Sequence, residues 1–146
     1  MSQYWLLTSL FTFKVTGADT NGALSIAEVH QDPAVPPPPH LHRHADECFY
    51  ITEGTFDFSV DGKPFSAGVG EFVHLPRGRV HTHGAGGGQF ARALVIQAPA
   101  GVEQFIAEAG QKATDITKRP APPQPEALGK IVEIAAKHGI DVPIPA

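Results

Sequence analysis

Phe56, Phe58 and Val60 alternate with Thr55, Asp57 and Ser59, the period-two signature of a half-buried β-strand. Asp61-Gly62 follows as a favoured two-residue hairpin turn. Segments of this kind recur along most of the chain. Tyr4 to Val15, rich in aromatics, Thr and Val, predicts one or two strands, and Gly17 to Gly22 a loop. From Leu24 to Val29, Leu24, Ile26 and Glu28 share one face and Ser25, Ala27 and Val29 the other. Glu47, Phe49 and Ile51 likewise oppose Cys48, Tyr50 and Thr52. Phe65–Ala67, Glu71–Leu75, Val80–His83 and Phe90–Gln97 predict further short strands, with Gly84–Gly88 a loop. Pro36–Pro39 must be extended and cannot donate to a sheet ladder, so it belongs at a rim. Phe49, Phe58, Phe72 and Phe90 are expected in the core.

The period changes after residue 101. Val102, Phe105, Ile106 and Ala109 have helical spacing. Pro120–Pro125 reads as a semi-rigid linker. Glu126–His138 reads as an amphipathic helix with Leu128, Ile131, Val132 and Ala135 on one stripe, stopped by Gly139. Many short strands separated by Gly/Pro turns imply an all-β sandwich or barrel. The change of pattern divides the chain into a barrel over residues 1–112 and a linker with a C-terminal helix over 113–146. That helix is expected to pack on the barrel or on a partner subunit, peripheral to the chemistry.

Composition narrows the function classes. One domain of 146 residues can bury a single core. The net charge is −4 and no basic cluster exceeds Lys118-Arg119, which argues against nucleic acid and anionic membranes. No apolar run is long enough to span a bilayer. Met1–Val15 lacks a basic segment and a small-residue cleavage site, so a cytoplasmic location is expected. Cys48, the sole cysteine, excludes an internal disulfide and alternates away from Glu47, as a packing residue would.

Histidine is the outlier. Six of the eight, His40, His42, His44, His74, His81 and His83, fall within 44 residues. Residues i and i+2 of an extended chain share a face, so His40 and His42 can reach one ion from one strand. With Glu47 and His81 they form a set of imidazoles and a carboxylate. That set suits one divalent transition metal per chain: iron, manganese, nickel, cobalt, copper or zinc. His83, two residues after His81, should face the same way and line a pocket or touch substrate. His44 reads as an exposed loop residue, His30 and His138 as surface residues, and the facing of His74 stays open. Arg77 and Arg79 flank the Pro76/Gly78 turn and are expected to stay solvated.

The order His40-Leu41-His42, four residues, Glu47, six residues, Gly54 resembles the first sequence motif of the cupin family. Gly70, five residues, Pro76, one residue, Gly78, two residues and His81 resemble the second. The fifteen intervening residues match the spacer of compact microbial cupins. Two positions depart from the pattern: Ala34 stands where the first motif begins with Gly, and Ala85 where the second ends with Asn. The resemblance is strongest over residues 36–84 and does not extend beyond about residue 112. The flanking Pro-rich stretch and Phe49-Tyr50-Ile51 resemble the quercetin-dioxygenase-like branch.

That resemblance implies a double-stranded β-helix, or jelly-roll, barrel with short C-terminal helices. It implies metal ligation by His40, His42, Glu47 and His81, with Glu47 also catalytic as a base. The implied activity is a dioxygenase resembling quercetin 2,3-dioxygenase, cleaving a small apolar, aromatic or enolisable substrate with O2 in a pocket of Phe49, Ile51, Phe72 and His83. A non-oxidative isomerase, decarboxylase or lyase on a small carbonyl compound is the alternative, as is a non-catalytic binding cupin. The family tendency implies a homodimer, for which the apolar Tyr4–Phe13 stretch offers a surface.

Overall fold

The computed structural model describes residues 2–143, so Met1 and residues 144–146 of the two segments divided above lie outside the described residues. Three antiparallel sheets make up the barrel. The largest has seven strands in the order β11 (Gln111–Lys112), β1 (Gln3–Leu6), β2 (Ser9–Val15), β3 (Ser25–Gln31), β10 (Ala91–Ala98), β5 (Asp46–Glu53) and β8 (Phe72–Leu75). A three-stranded sheet has β7 (Lys63–Gly68), β6 (Thr55–Val60) and β9 (His81–Ala85) in order. The third pairs β12 (Ile140–Asp141) with β4 (Leu41–His42).

Alternation decides what each strand buries. In β3 the buried residues are Ser25, Ala27, Val29 and Gln31, and in β10 they are Ala91, Ala93, Val95 and Gln97. Opposite them lie Phe56 and Phe58 of β6 and Ala67 of β7, so one apolar core joins the faces of both sheets. Its aromatic centre is tightly interlocked. The Phe49 ring meets Phe58 edge-on at 5.3 Å and Phe56 at 5.6 Å between centroids.

A second cluster lies under α2 (Val102–Ala109) and α3 (Pro125–Lys137), where Phe105, Ile106 and Ala135 pack with Phe13, Ala27 and Ile140. The apolar side of the first two strands is therefore covered within the chain. Strand β1 is also kept from the sheet edge by β11, with Trp5 opposite Gln111. The predicted loop after Val15 holds one helical turn, α1 (Gly17–Thr20), where the Asp19 carboxylate accepts from Thr16 N at 2.9 Å. The predicted loop from Gly84 begins two residues late, because β9 runs on to Ala85 beside Phe56. No helix among the described residues is long and apolar enough to cross a membrane.

The expected core positions of two aromatics are corrected. Phe72 is 61% exposed, because Val73 and Leu75 take the inward phase of β8 and Phe72 lies beside Tyr50 on the outer face. Phe90 precedes the inward-facing Ala91 and is 37% exposed, its ring against His30 and the Arg119 guanidinium. That guanidinium also lies over Trp5, and its Nε donates to Thr8 O at 3.0 Å, so the chain entering the Pro-rich segment is anchored to the barrel.

Candidate metal centre

His40, His42, Glu47 and His81 converge as the spacing predicts. Each offers one ligand atom, these atoms lie within 4.8 Å of one another, and no side chain is more than 8% exposed. Backbone pairing sets the convergence. His40 and His81 exchange both main-chain hydrogen bonds, at 3.0 and 2.8 Å, which brings the first-motif segment onto β9. The turn after β8 is tied to the same place, because Gly78 N donates to His42 O at 2.8 Å. Gly78 has φ of +77°, a conformation that glycine adopts without steric cost. Gly54 turns β5 into β6 at φ +72°, and a Cβ there would meet Phe90 O at 3.1 Å. In place of the missing leading glycine, Ala34 N donates to Asp32 Oδ1 at 2.8 Å and closes a turn.

The donor set fits a divalent metal. His42 Nε2, His81 Nε2 and Glu47 Oε1 are buried with no hydrogen-bond partner, a costly state that a cation would relieve. His40 Nδ1 faces Pro38 O at 2.8 Å; as a carbonyl only accepts, Nδ1 carries the proton and Nε2 keeps its lone pair. Glu47 lies 3.5 Å from His42 Nε2 and 3.6 Å from His81 Nε2. Burial, reinforced by the neighbouring imidazoles, pushes His40 down to about 3. His42 is also lowered by burial, against the pull of Glu47. Burial raises Glu47, but the imidazoles, His42 foremost, outweigh it and hold the carboxyl below its usual range. Near neutral pH the centre thus presents a carboxylate with His40 and His42 neutral, the protonation states that metal ligation requires.

His83 joins the cluster as a fifth group. Its Nε2 is 4.0 Å from Glu47 Oε1, and its ring lies 4.9 Å from that of Phe49. Burial, partly offset by Glu47, lowers its pKa to about 4. Gln31 orients it: the amide nitrogen faces His83 O at 3.4 Å, leaving Oε1 to accept from His83 Nδ1 at 3.2 Å. Of the other expected pocket residues, Phe49 is buried with its ring against that of His83. Ile51 is fully buried, about 13 Å along the strand from Glu47, and is a core residue. Phe72 lies on the outer face of the sheet, away from the cluster. His44 is exposed, and His74 faces outward, 3.3 Å from Asp46. Arg77 pairs with Asp46 and Arg79 with Asp61 at the surface.

Two buried polar residues in contact with this cluster were not singled out from the sequence, Gln31 and Gln97. Gln97 stands directly across from Glu47 in the β5–β10 ladder, and its Nε2 donates to Glu47 Oε2. The available signal was a polar residue ending the apolar inward row of Ala91, Ala93 and Val95; Gln31 ends the row of β3 in the same way.

A cavity of about 70 Å³ touches His42, Gln97, His44, His138, Gly139 and Ile140, and so reaches the centre beside the C-terminal strand. A larger one of about 550 Å³ lies among Tyr4, Phe13, Gly17 and Gln104 and touches none of the candidate ligands. Its Glu103 carboxylate is already engaged by Gly17 N and Gly101 N, both at 2.6 Å.

The fold and the site together define a double-stranded β-helix protein with a buried three-histidine, one-carboxylate centre. Residues 27–97, just under half of the chain, match the family described as the cupin domain, and the fold is that of a cupin jelly-roll barrel. A comparison with curated protein sequences found no match. Among solved structures, KdgF from a Halomonas species aligns with a TM-score of 0.60 at 16% identity, over 69% of this chain and 89% of that one. The cupin domain of Schizosaccharomyces pombe Cnp3 aligns with 0.57 at 16% identity, over 68% and 70%. A sugar phosphate isomerase of the cupin superfamily from Silicibacter pomeroyi aligns with 0.54 at 18% identity, over 64% and 61%. At these identities the likeness is one of fold.

Proposed function

We propose that this cupin is an enzyme that holds one divalent transition metal at His40, His42, Glu47 and His81. Its substrate is small and bears an enolisable carbonyl or a phenolic oxygen. The leading reaction class is oxidative cleavage by O2, resembling quercetin 2,3-dioxygenase. The observation that carries the reading is the buried cluster of three imidazoles and one carboxylate with unpartnered ligand atoms. A bound divalent ion would supply Lewis acidity, favouring the deprotonated form of a substrate hydroxyl. Glu47 takes that proton as the base, and Gln97 engages its Oε2. His83, neutral and fixed by Gln31, turns Nε2 towards the same carboxylate and offers a hydrogen-bond acceptor. Phe49 and Phe58 keep water from that side.

A second reading, a non-oxidative isomerase or lyase on a small carbonyl compound, is favoured by size. Phe49, Phe56 and Phe58 fill the interior, and the cavity at His42 holds only about 70 Å³, far below the 300–1,000 Å³ of a site for a drug-sized ligand. The name of one fold relative, a sugar phosphate isomerase, agrees with it. One experiment separates the two. Protein purified without added metal is analysed for its metal content. It is then given flavonols, β-diketones and small hydroxy-ketones while O2 uptake and exchange of the substrate α-proton into D2O are followed. O2 uptake supports the first reading, and exchange without O2 uptake supports the second. A preparation with neither metal nor turnover rejects both.

We also propose a homodimer, formed through the outer face of the seven-stranded sheet rather than through Tyr4–Phe13. Tyr50 and Phe72 lie side by side there, 40% and 61% exposed, in register with Leu94. Supporting this choice, Phe13 is buried under the helices and β1 already has a partner.

A further inference from the structure

Gln97 is buried to 1% exposure and has no contact with solvent to explain its polarity. An amide in that position has to be satisfied, because each hydrogen bond left unmade in a buried site costs the desolvation of its group. Its two ends differ. Nε2 donates to Glu47 Oε2, whereas Oε1 has no partner. Gln97 and Glu47 occupy facing positions on β10 and β5, so the backbone ladder, and not a mobile loop, holds the two side chains together. The amide therefore occupies one carboxylate oxygen and leaves the other, Oε1, unpartnered between His81 Nε2 at 3.6 Å and His83 Nε2 at 4.0 Å.

From this arrangement we infer that Gln97 is a positioning residue, whose amide holds Glu47 in the rotamer that ligates the metal through a single oxygen. The inference rests on the metal-site reading above. Gln97 acts only through Glu47. Groups that support metal ligands from behind in this way typically change metal affinity by about 10–100-fold when removed.

The test uses the full chain and Co²⁺, whose visible spectrum reports the geometry and number of its ligands. Gln97→Met keeps the length of the side chain and removes both amide groups. Relative to wild type, it is expected to lower Co²⁺ affinity about 10–100-fold in competition with a chelator and to change the cobalt absorption bands. In a Glu47→Ala background the same substitution should have little further effect, because the group it acts through is gone. Far-ultraviolet circular dichroism and melting of the metal-free proteins check the fold. If Gln97→Met does not fold, Gln97→Asn is used; it keeps the amide but withdraws it from Glu47 by one methylene, and the same loss is expected. Wild-type affinity and spectrum in a folded variant overturn the inference, as does an equal loss in the Glu47→Ala background. Failure of the wild-type protein to bind Co²⁺ defeats instead the metal-site reading.

Discussion

The two oxygens of Glu47 have different surroundings, and this allows its roles to be separated. Oε2 accepts from Gln97, whereas Oε1 has no hydrogen-bond partner. Glu47→Gln preserves size and one acceptor oxygen but removes negative charge and basicity. The variant is expected to keep partial metal binding and to lose turnover by roughly 10²–10⁴-fold, the usual cost of a lost general base. Steady-state rates at saturating metal check this. Full recovery by added metal would leave Glu47 a ligand only. His42→Ala removes a ligand outright and should reduce the metal content of the purified protein, read by elemental analysis.

At the scale of the element, the end of the chain lies closer to the site than its sequence position suggests. Strand β12 pairs with β4, setting Ile140 opposite His42. Arg43 N donates to Gly139 O at 2.8 Å, and Arg43 Nη2 to Ala136 O at the same distance. The loop that follows His42 is therefore held by the end of α3. Ile140 packs in the second core cluster with Phe13 and Phe105. Ile140→Ala should cost about 2–5 kcal/mol of stability, the range for truncating a buried isoleucine, measured by denaturant unfolding. Truncation after His138 should in addition weaken Co²⁺ binding, because β4 loses its only strand partner among the described residues. Unchanged affinity in a folded truncation would show that β4 needs no such support.

For the whole molecule, the buried imidazoles set the response to pH. His40 and His83 ordinarily titrate near 6.5 but are held at about 3 and about 4 in the folded chain, chiefly by burial. Between those values the unfolded chain takes up protons that the folded chain refuses, so stability falls as pH falls. The depressed carboxyl of Glu47 acts in the same direction below its ordinary range. Melting temperature should decline steadily from about pH 6.5 towards pH 4. It should decline more steeply with metal bound, because protonation of the ligands also expels the ion. Parallel pH profiles with and without metal would contradict ligation by histidine. If the sheet face of Tyr50 and Phe72 joins two copies, a Tyr50→Lys, Phe72→Lys double variant should sediment as a monomer where wild type sediments as a dimer. An unchanged dimer would move the interface elsewhere.

Much of this protein is legible in its sequence by itself. Period-two alternation marks the strands, because successive side chains of an extended chain must point to opposite faces. The same local geometry puts His40 and His42 on one side, and the spacing to Glu47, Gly78 and His81 announces the centre they form. Tertiary structure alone decided which face of each strand is inside. Phe72 and Phe90 carry large apolar rings yet face outward, because their neighbours Val73 and Ala91 meet the opposing sheet. It also decided that Gln97 meets Glu47, that Gln31 meets His83, and that Ile140 returns to His42. Those pairings join residues 50, 52 and 98 positions apart, and cross-strand register, unlike alternation, is a property of the assembled sheets and not of any one segment.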